Sequence, residues 1–261
     1  MRNIRLTIEY DGSRYQGWSR LGKNESTNTI SNKILDVIKK MSGEDVELFC
    51  GMRTEVGVHA YGQVANFKTS SRMDLAEMQR YLNRYLPMDI AITDIEEMPE
   101  RFHAQLNAKR KVYVYRMITG AVPSVFDRKY AYHCFRHPDK ELMDEAADLL
   151  IGKHDFRNFT SAGKSKSTVK EIYNIEIYAD PEEMQITIEA NDFLHNMQRL
   201  IIGTLIDIGL EKRPVSDIRA IFRGEESASL PCDPKGMYLQ EIQYKKTITH
   251  NFIHTAKGRI L

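Results

Sequence analysis

The chain has 261 residues, 42% of them apolar and 28% charged, with a formal net charge of +1. That length is enough for one large domain or two medium ones, and the balance excludes a disordered chain and a membrane-spanning one. The near-neutral charge means that any polyanionic partner must be met by local basic patches rather than by the whole surface.

Ile4, Leu6 and Ile8 alternate with polar residues as a first strand, not as the continuous apolar run of a secretory signal, which points to a cytoplasmic protein. Asp11-Gly12-Ser13 supplies a turn. Thr29 then caps a helix whose apolar positions Ile30, Ile34, Val37, Ile38 and Met41 recur at helical spacing until Ser42-Gly43. Val46–Cys50 and Gln63–Phe67 read as strands flanking a loop. Asp74 caps a second helix through Leu75, Met78 and Leu82, closed by Pro87, and Ile90–Ile95 makes a further strand. This order of strand, helix, two strands, helix and strand is that of a ferredoxin-like unit.

The second half repeats the order. Lys111–Met117 is a strand, a helix through Leu142, Ala146, Leu149 and Leu150 stops at Gly152, and strands follow over Glu171–Tyr178 and Met184–Ala190. A strongly apolar helix covers Phe193–Ile208, a short one Asp217–Phe222, and a last strand Met237–Ile242. The expected class is therefore α+β: two ferredoxin-like α/β-sandwich halves, residues 1–104 and 105–261, whose antiparallel sheets flank a central active-site cleft. The three cysteines, Cys50, Cys134 and Cys232, are scattered, and neither a disulfide framework nor a zinc site is suggested. His133 and His137 are four apart but fall in strand and turn, so they do not converge as metal ligands.

The chemistry-bearing residues concentrate in Arg53-Thr54-Glu55-Val56-Gly57-Val58-His59-Ala60, where Gly51 and Gly57 permit tight backbone and let Arg53 and Glu55 project. Alone, such a pair reads first as a surface ion pair on a hairpin. Basic patches stand at Lys109-Arg110-Lys111, at Lys164, Lys166 and Lys170, and around Arg14, Arg20 and Lys23; each also reads as a solvated face.

Several ordered blocks together resemble the tRNA pseudouridine synthase A family. They are Tyr10-Asp11-Gly12-Ser13-Arg14-Tyr15-Gln16-Gly17-Trp18, the loop above with Tyr61-Gly62-Gln63-Val64, and Arg101-Phe102-His103-Ala104. Lys109 to Tyr115, Gly152 to Phe156, Asn191 to Gly203 and Gly236 to Leu239 extend the likeness over nearly the whole chain. The resemblance implies a homodimeric enzyme without metal or organic cofactor that isomerises uridine to pseudouridine at positions 38 to 40 of the tRNA anticodon arm. It implies that Glu55 stands where the family has its catalytic aspartate, acting at C1′ as nucleophile or as base. Tyr113 matches the tyrosine that stacks on the flipped base, though alone it also reads as a strand tyrosine filling core. Arg199 matches the cation paired with the carboxylate, and an arginine on so apolar a helix needs a partner. Arg53 matches the residue that replaces the flipped nucleotide, and Arg14, His59 and Lys109 are the further substrate-binding candidates; His59 reads equally as a hydrogen-bonded structural histidine. Ser19, Leu21 and Ser31 stand where the family usually has glutamines, and His195-Asn196 varies the approach to Arg199; these are expected near the RNA face. The longer carboxylate leaves two readings: an active synthase, or a catalytically silent relative that binds or folds tRNA.

Overall fold

The computed structural model describes residues 1–19, 26–161 and 167–244. The first half runs β1 (Arg2–Tyr10), α1 (Ile30–Ser42), β2 (Phe49–Cys50), β3 (His59–Thr69), α2 (Leu75–Tyr85) and β4 (Ile90–Met98). The second runs β5 (Arg110–Thr119), β6 (Tyr132–Cys134), α3 (Lys140–Asp148), β7 (Gly152–Asp155), β8 (Val169–Ala179), β9 (Glu183–Ala190), α4 (Met197–Gly209), α5 (Asp217–Arg223) and β10 (Met237–Gln243).

Local chemistry accounts for most boundaries. The Thr29 hydroxyl accepts from Asn32 N–H at the start of α1, and Gly43 ends it in the left-handed region at φ 73°. One face of α1, with Ile30, Ile34, Val37 and Ile38, is buried; removing Ile34 to alanine would cost about 2–5 kcal/mol. Along β1, Ile4, Leu6 and Ile8 are fully buried while the residues between them face outward, as the period of a half-buried strand requires. Asp74 and Asp139 cap α2 and α3 in the same way as Thr29 caps α1.

Each half has the pairing order of a ferredoxin-like unit: β4-β1-β3 with β2 on β3, and β10-β5-β9-β8 with β7 added at the far edge. The architecture is the mixed α+β one expected, and the two sheets are joined edge to edge into one ten-stranded, mostly antiparallel sheet. The join is made on one edge of β3. Near its end, Asn66 and Ala65 pair with Phe49 and Cys50 of β2; at its start, His59 and Ala60 pair in parallel with Tyr238 and Leu239 of β10. The loop between β2 and β3 leaves the sheet at that fork. Asn3 and Asn66 pin the connection between the halves, since the Asn3 amide donates to the Phe102 carbonyl at 2.9 Å and Asn66 Oδ1 accepts from Ala104 N–H at 2.8 Å.

Three boundaries differ from expectation. β2 is only two residues long, because at the end of β3 the Glu44 carboxylate takes Ser70 N–H, at 3.0 Å, and the Thr69 hydroxyl instead of a strand. Beyond the helix stop expected at Gly152, the chain forms a strand, β7, that the periodicity does not mark. Helix α4 starts at Met197, not Phe193, because Asn196 sits in the left-handed region at φ 59°.

Candidate active site

The loop between β2 and β3 is fastened at nearly every residue. Gly51 N–H donates to the Val64 carbonyl at 2.8 Å, and the Gln63 amide donates to the Met52 carbonyl at 2.6 Å. The Thr54 hydroxyl lies 2.7 Å from the buried Tyr10 phenol, Trp18 N–H donates to the Thr54 carbonyl at 3.0 Å, and Val58 N–H donates to the Glu55 carbonyl at 3.2 Å. Gly57 turns the chain at φ 78°. Between these ties Arg53 and Val56 point outward, and the half-buried Glu55 side chain points at the start of α4.

There the carboxylate finds three hydrogen bonds from two residues. Asn196 N–H donates to Oε1 at 3.1 Å, and the Gln198 amide nitrogen lies 3.2 Å from Oε1 and 3.1 Å from Oε2. A backbone N–H at a helix start is a ready donor to a carboxylate. Two phenols share this interior. Tyr113 is fully buried in an edge-to-face contact with Phe193, centroids 5.3 Å apart, and its hydroxyl has no hydrogen-bond partner among the described residues. Burial, reinforced by the negative charge of Glu55, pushes the Tyr113 phenol well above its ordinary value. Burial likewise raises Tyr10, with Glu55 adding to it against hydrogen bonds from Thr54 and Gln63.

Arg199 does not pair with Glu55. Its guanidinium donates twice to the Cys232 carbonyl, at 3.0 and 2.9 Å, and once to Asn196 Oδ1 at 3.1 Å, while Cys232 N–H returns a bond to the Arg199 carbonyl at 3.0 Å. The partner that the part-buried Arg199 finds is a backbone oxygen of the segment leading into β10. Arg199 still shares a neighbour with the carboxylate: burial pushes the Cys232 thiol up to about 12, Arg199 pulling against this and Glu55 adding to it.

The remaining candidates spread around this centre. Arg53 is exposed and forms no ion pair among the described residues; its charge and that of Lys111 pull down a Cys50 thiol that burial pushes up to about 12. Arg14 is exposed, 3.7 Å from the Asp89 carboxylate, and Lys109 is exposed with its N–H on the Gln243 carbonyl at 2.8 Å. His59 is buried: its Nδ1 lies 3.2 Å from Gly12 N–H and 3.2 Å from Asp11 Oδ1, and its ring stacks on Tyr238 at 4.9 Å. It braces the loop from below, and its structural reading fits that burial.

Among the described basic residues, Arg110, Lys111 and Lys170 are drawn into ion pairs, while Arg14 and Lys109 stay exposed. Arg110 pairs with Glu189 at 2.6 Å, and the buried Lys111 and the partly buried Lys170 both grip Asp192, the latter at 2.8 Å. Burial raises the Asp192 carboxyl, yet the two ammonium groups hold it below the usual carboxylate range. Ser31, expected near the RNA face, is buried in the first turn of α1, and Trp18 is buried against Tyr10. Arg20, Leu21, Lys23, Lys164 and Lys166 lie outside the described residues. His133 Nε2 bonds the Gly120 carbonyl at 2.8 Å, and among the described residues no three His, Cys, Asp or Glu side chains gather as metal ligands. No described helix is long and apolar enough to cross a membrane. Sequence reasoning missed Gln198; the signal available was a glutamine inside the apolar stripe from Leu194 to Ile208.

A family model described as tRNA pseudouridine synthase matches residues 6–107 and 146–245. The chain is 41% identical over 247 residues to a tRNA pseudouridine synthase A 2 of Bacillus anthracis, covering 94% of this chain and 100% of that one. It is 40% identical to a tRNA pseudouridine synthase A of a Bacillus species, with 94% and 100% covered. A tRNA pseudouridine synthase A 2 of Clostridium tetani is 39% identical, with 93% and 99% covered. With both halves matched and the relatives aligned from end to end, this chain belongs to the tRNA pseudouridine synthase family.

Proposed function

We propose that this protein isomerises uridine to pseudouridine at positions 38 to 40 of the tRNA anticodon arm, in the cytoplasm, with Glu55 as the carboxylate that acts at C1′. The supporting observation is the placing of Glu55: an anchored loop delivers its carboxylate to the start of α4, where Asn196 N–H and the Gln198 amide hold it. The reaction breaks the N1–C1′ bond, turns the uracil over and forms C1′–C5; the C5 proton is lost and N1 regains one, so the product is an isomer. A fixed, ionised carboxylate near C1′ suits either a nucleophile or a base on the sugar.

The target nucleotide must leave the stack to reach Glu55. Arg53, exposed beside the loop, takes its place and holds the RNA backbone, with Arg14 and Lys109 as outer phosphate contacts. Tyr113 presents its face to the base and its hydroxyl toward removal of the C5 proton. Because the Tyr113 ring is wholly covered, base entry has to displace its cover, which includes Phe193. Arg199 acts on the site through Asn196 and Cys232, fixing the first turn of α4. Assembly as a homodimer rests on the family resemblance alone, and a monomer in light scattering would overturn it.

One observation favours the second reading, a tRNA-binding relative without catalysis: the guanidinium of Arg199 is spent on backbone and Asn196 rather than on the carboxylate. Release of tritium from C5-labelled uridine in an anticodon-arm tRNA, with protein in stoichiometric excess, decides between them. Release supports the synthase. Retained label with saturable tRNA binding supports the silent relative. Glu55→Gln abolishes release on the first reading, whereas Glu55→Asp keeps it; full release by both variants refutes a role for this side chain.

A further inference from the structure

Gln198 is fully buried on a helix whose neighbouring inward residues, Met197, Ile201, Ile202 and Leu205, are apolar. Its amide nitrogen faces both oxygens of Glu55, at 3.2 and 3.1 Å. An ionised carboxylate only accepts hydrogen bonds, so this contact fixes which end of the amide is which. The other end, Oε1, is then buried with no partner among the described residues. A buried carbonyl left unpaired costs free energy that a methionine of similar shape would avoid, so packing does not account for a glutamine here. Holding Glu55 does account for it.

The neighbours leave the task to Gln198. Asn196 contributes one backbone N–H to Oε1 alone, and Arg199 is turned to the Cys232 carbonyl. Oε2 receives its bond from Gln198. A single donor lets a carboxylate pivot, whereas a second donor touching both oxygens fixes its plane, and reacting groups need their orientation fixed as well as their distance. The reach matters too. An aspartate at position 55 would withdraw its carboxylate by about 1.5 Å, beyond the amide's hydrogen-bond range.

We propose that Gln198 is the positioning residue for Glu55: its side-chain amide orients the longer carboxylate for attack at the sugar. This rests on the reading that Glu55 acts at C1′. The test is tritium release from C5-labelled uridine in anticodon-arm tRNA by Gln198→Met, alone and combined with Glu55→Asp. Gln198→Met is expected to lower kcat roughly tenfold to a hundredfold, the span expected for a bond to a charged group, with KM unchanged. In the Glu55→Asp background the same change is expected to add nothing, because the shorter side chain has already left the amide. An equal loss in both backgrounds would show a merely structural role and overturn the proposal, as would unchanged kcat in the single variant. If Gln198→Met melts out at assay temperature, Gln198→Asn keeps an amide but retracts it, and the same fall in kcat at constant KM is expected. An inert parent protein overturns the catalytic reading and this inference together; an active parent with unaffected variants overturns the inference alone.

Discussion

Replacing Gly12 by alanine separates placement of the Glu55 loop from stability of the fold. A methyl group at Gly12 would lie 2.0 Å from the Val58 carbonyl oxygen and 2.7 Å from its carbon, both backbone atoms that cannot swing aside. Val58 N–H is tied to the Glu55 carbonyl at 3.2 Å, so a retreat of Val58 drags the residue that bears the carboxylate. To restore ordinary contact the loop must withdraw by more than about 1 Å, and a misplacement of that size costs on the order of a hundredfold in rate. The crowding itself costs about 1–3 kcal/mol of stability. Gly43→Ala is the matched control: nothing lies within 4 Å of the added methyl, but the residue sits at φ 73°, and left-handed strain on a residue with a side chain costs about 1–2 kcal/mol. Both variants should lose comparable stability in urea melts, and only Gly12→Ala should lose single-turnover tritium release. Equal rates in the two would refute the claim that the Gly12 turn sets the position of Glu55.

Two further outcomes follow from buried polar groups. Tyr113→Phe removes a buried hydroxyl that has no partner among the described residues, and should raise stability by about 1 kcal/mol while slowing C5 proton release by a factor on the order of a hundred or more. Full activity in that variant would confine Tyr113 to stacking. Burial holds the His59 imidazole below its ordinary value against the opposing pull of Asp11, so the unfolded chain takes up a proton first as pH falls. The stability His59 contributes is complete above the unfolded value near 6.5 and is lost as pH drops through the folded one. Melting temperature should therefore decline from about pH 7 toward about pH 5, and the decline should flatten in His59→Asn, which keeps an acceptor for Gly12 N–H but does not titrate. An undiminished decline in that variant would remove His59 from the account.

Elements whose cause is local were legible in the sequence. Thr29, Asp74 and Gly43 mark their helix ends because caps act within a few residues, and β1 shows its alternation because one face is buried along its whole length. The errors have non-local causes. Val46 and Leu48 pack on the core, yet no ladder forms there, since the Glu44 side chain has taken the end of β3. Helix α4 keeps its apolar pattern through Phe193 and Leu194, and only the left-handed Asn196 delays its start.

The site divides along the same line. Glu55, Tyr113 and Arg199 are singled out by the resemblance of ordered blocks, and the fold places Glu55 and Tyr113 in one interior, with Arg199 on the helix that receives the carboxylate. What a sequence does not display is which oxygen each donor chooses. A search for the partner of an arginine on an apolar helix looks for an opposite charge, and here the partner is the Cys232 carbonyl, a group every residue possesses. The donor to Glu55 is a neutral amide 143 positions away, embedded in a stripe whose pattern says core. The two facts belong together. At its length the Glu55 side chain meets the first turn of α4. There the Gln198 amide and the Asn196 N–H donate to it without adding an opposing charge, which suits the proposed chemistry at C1′.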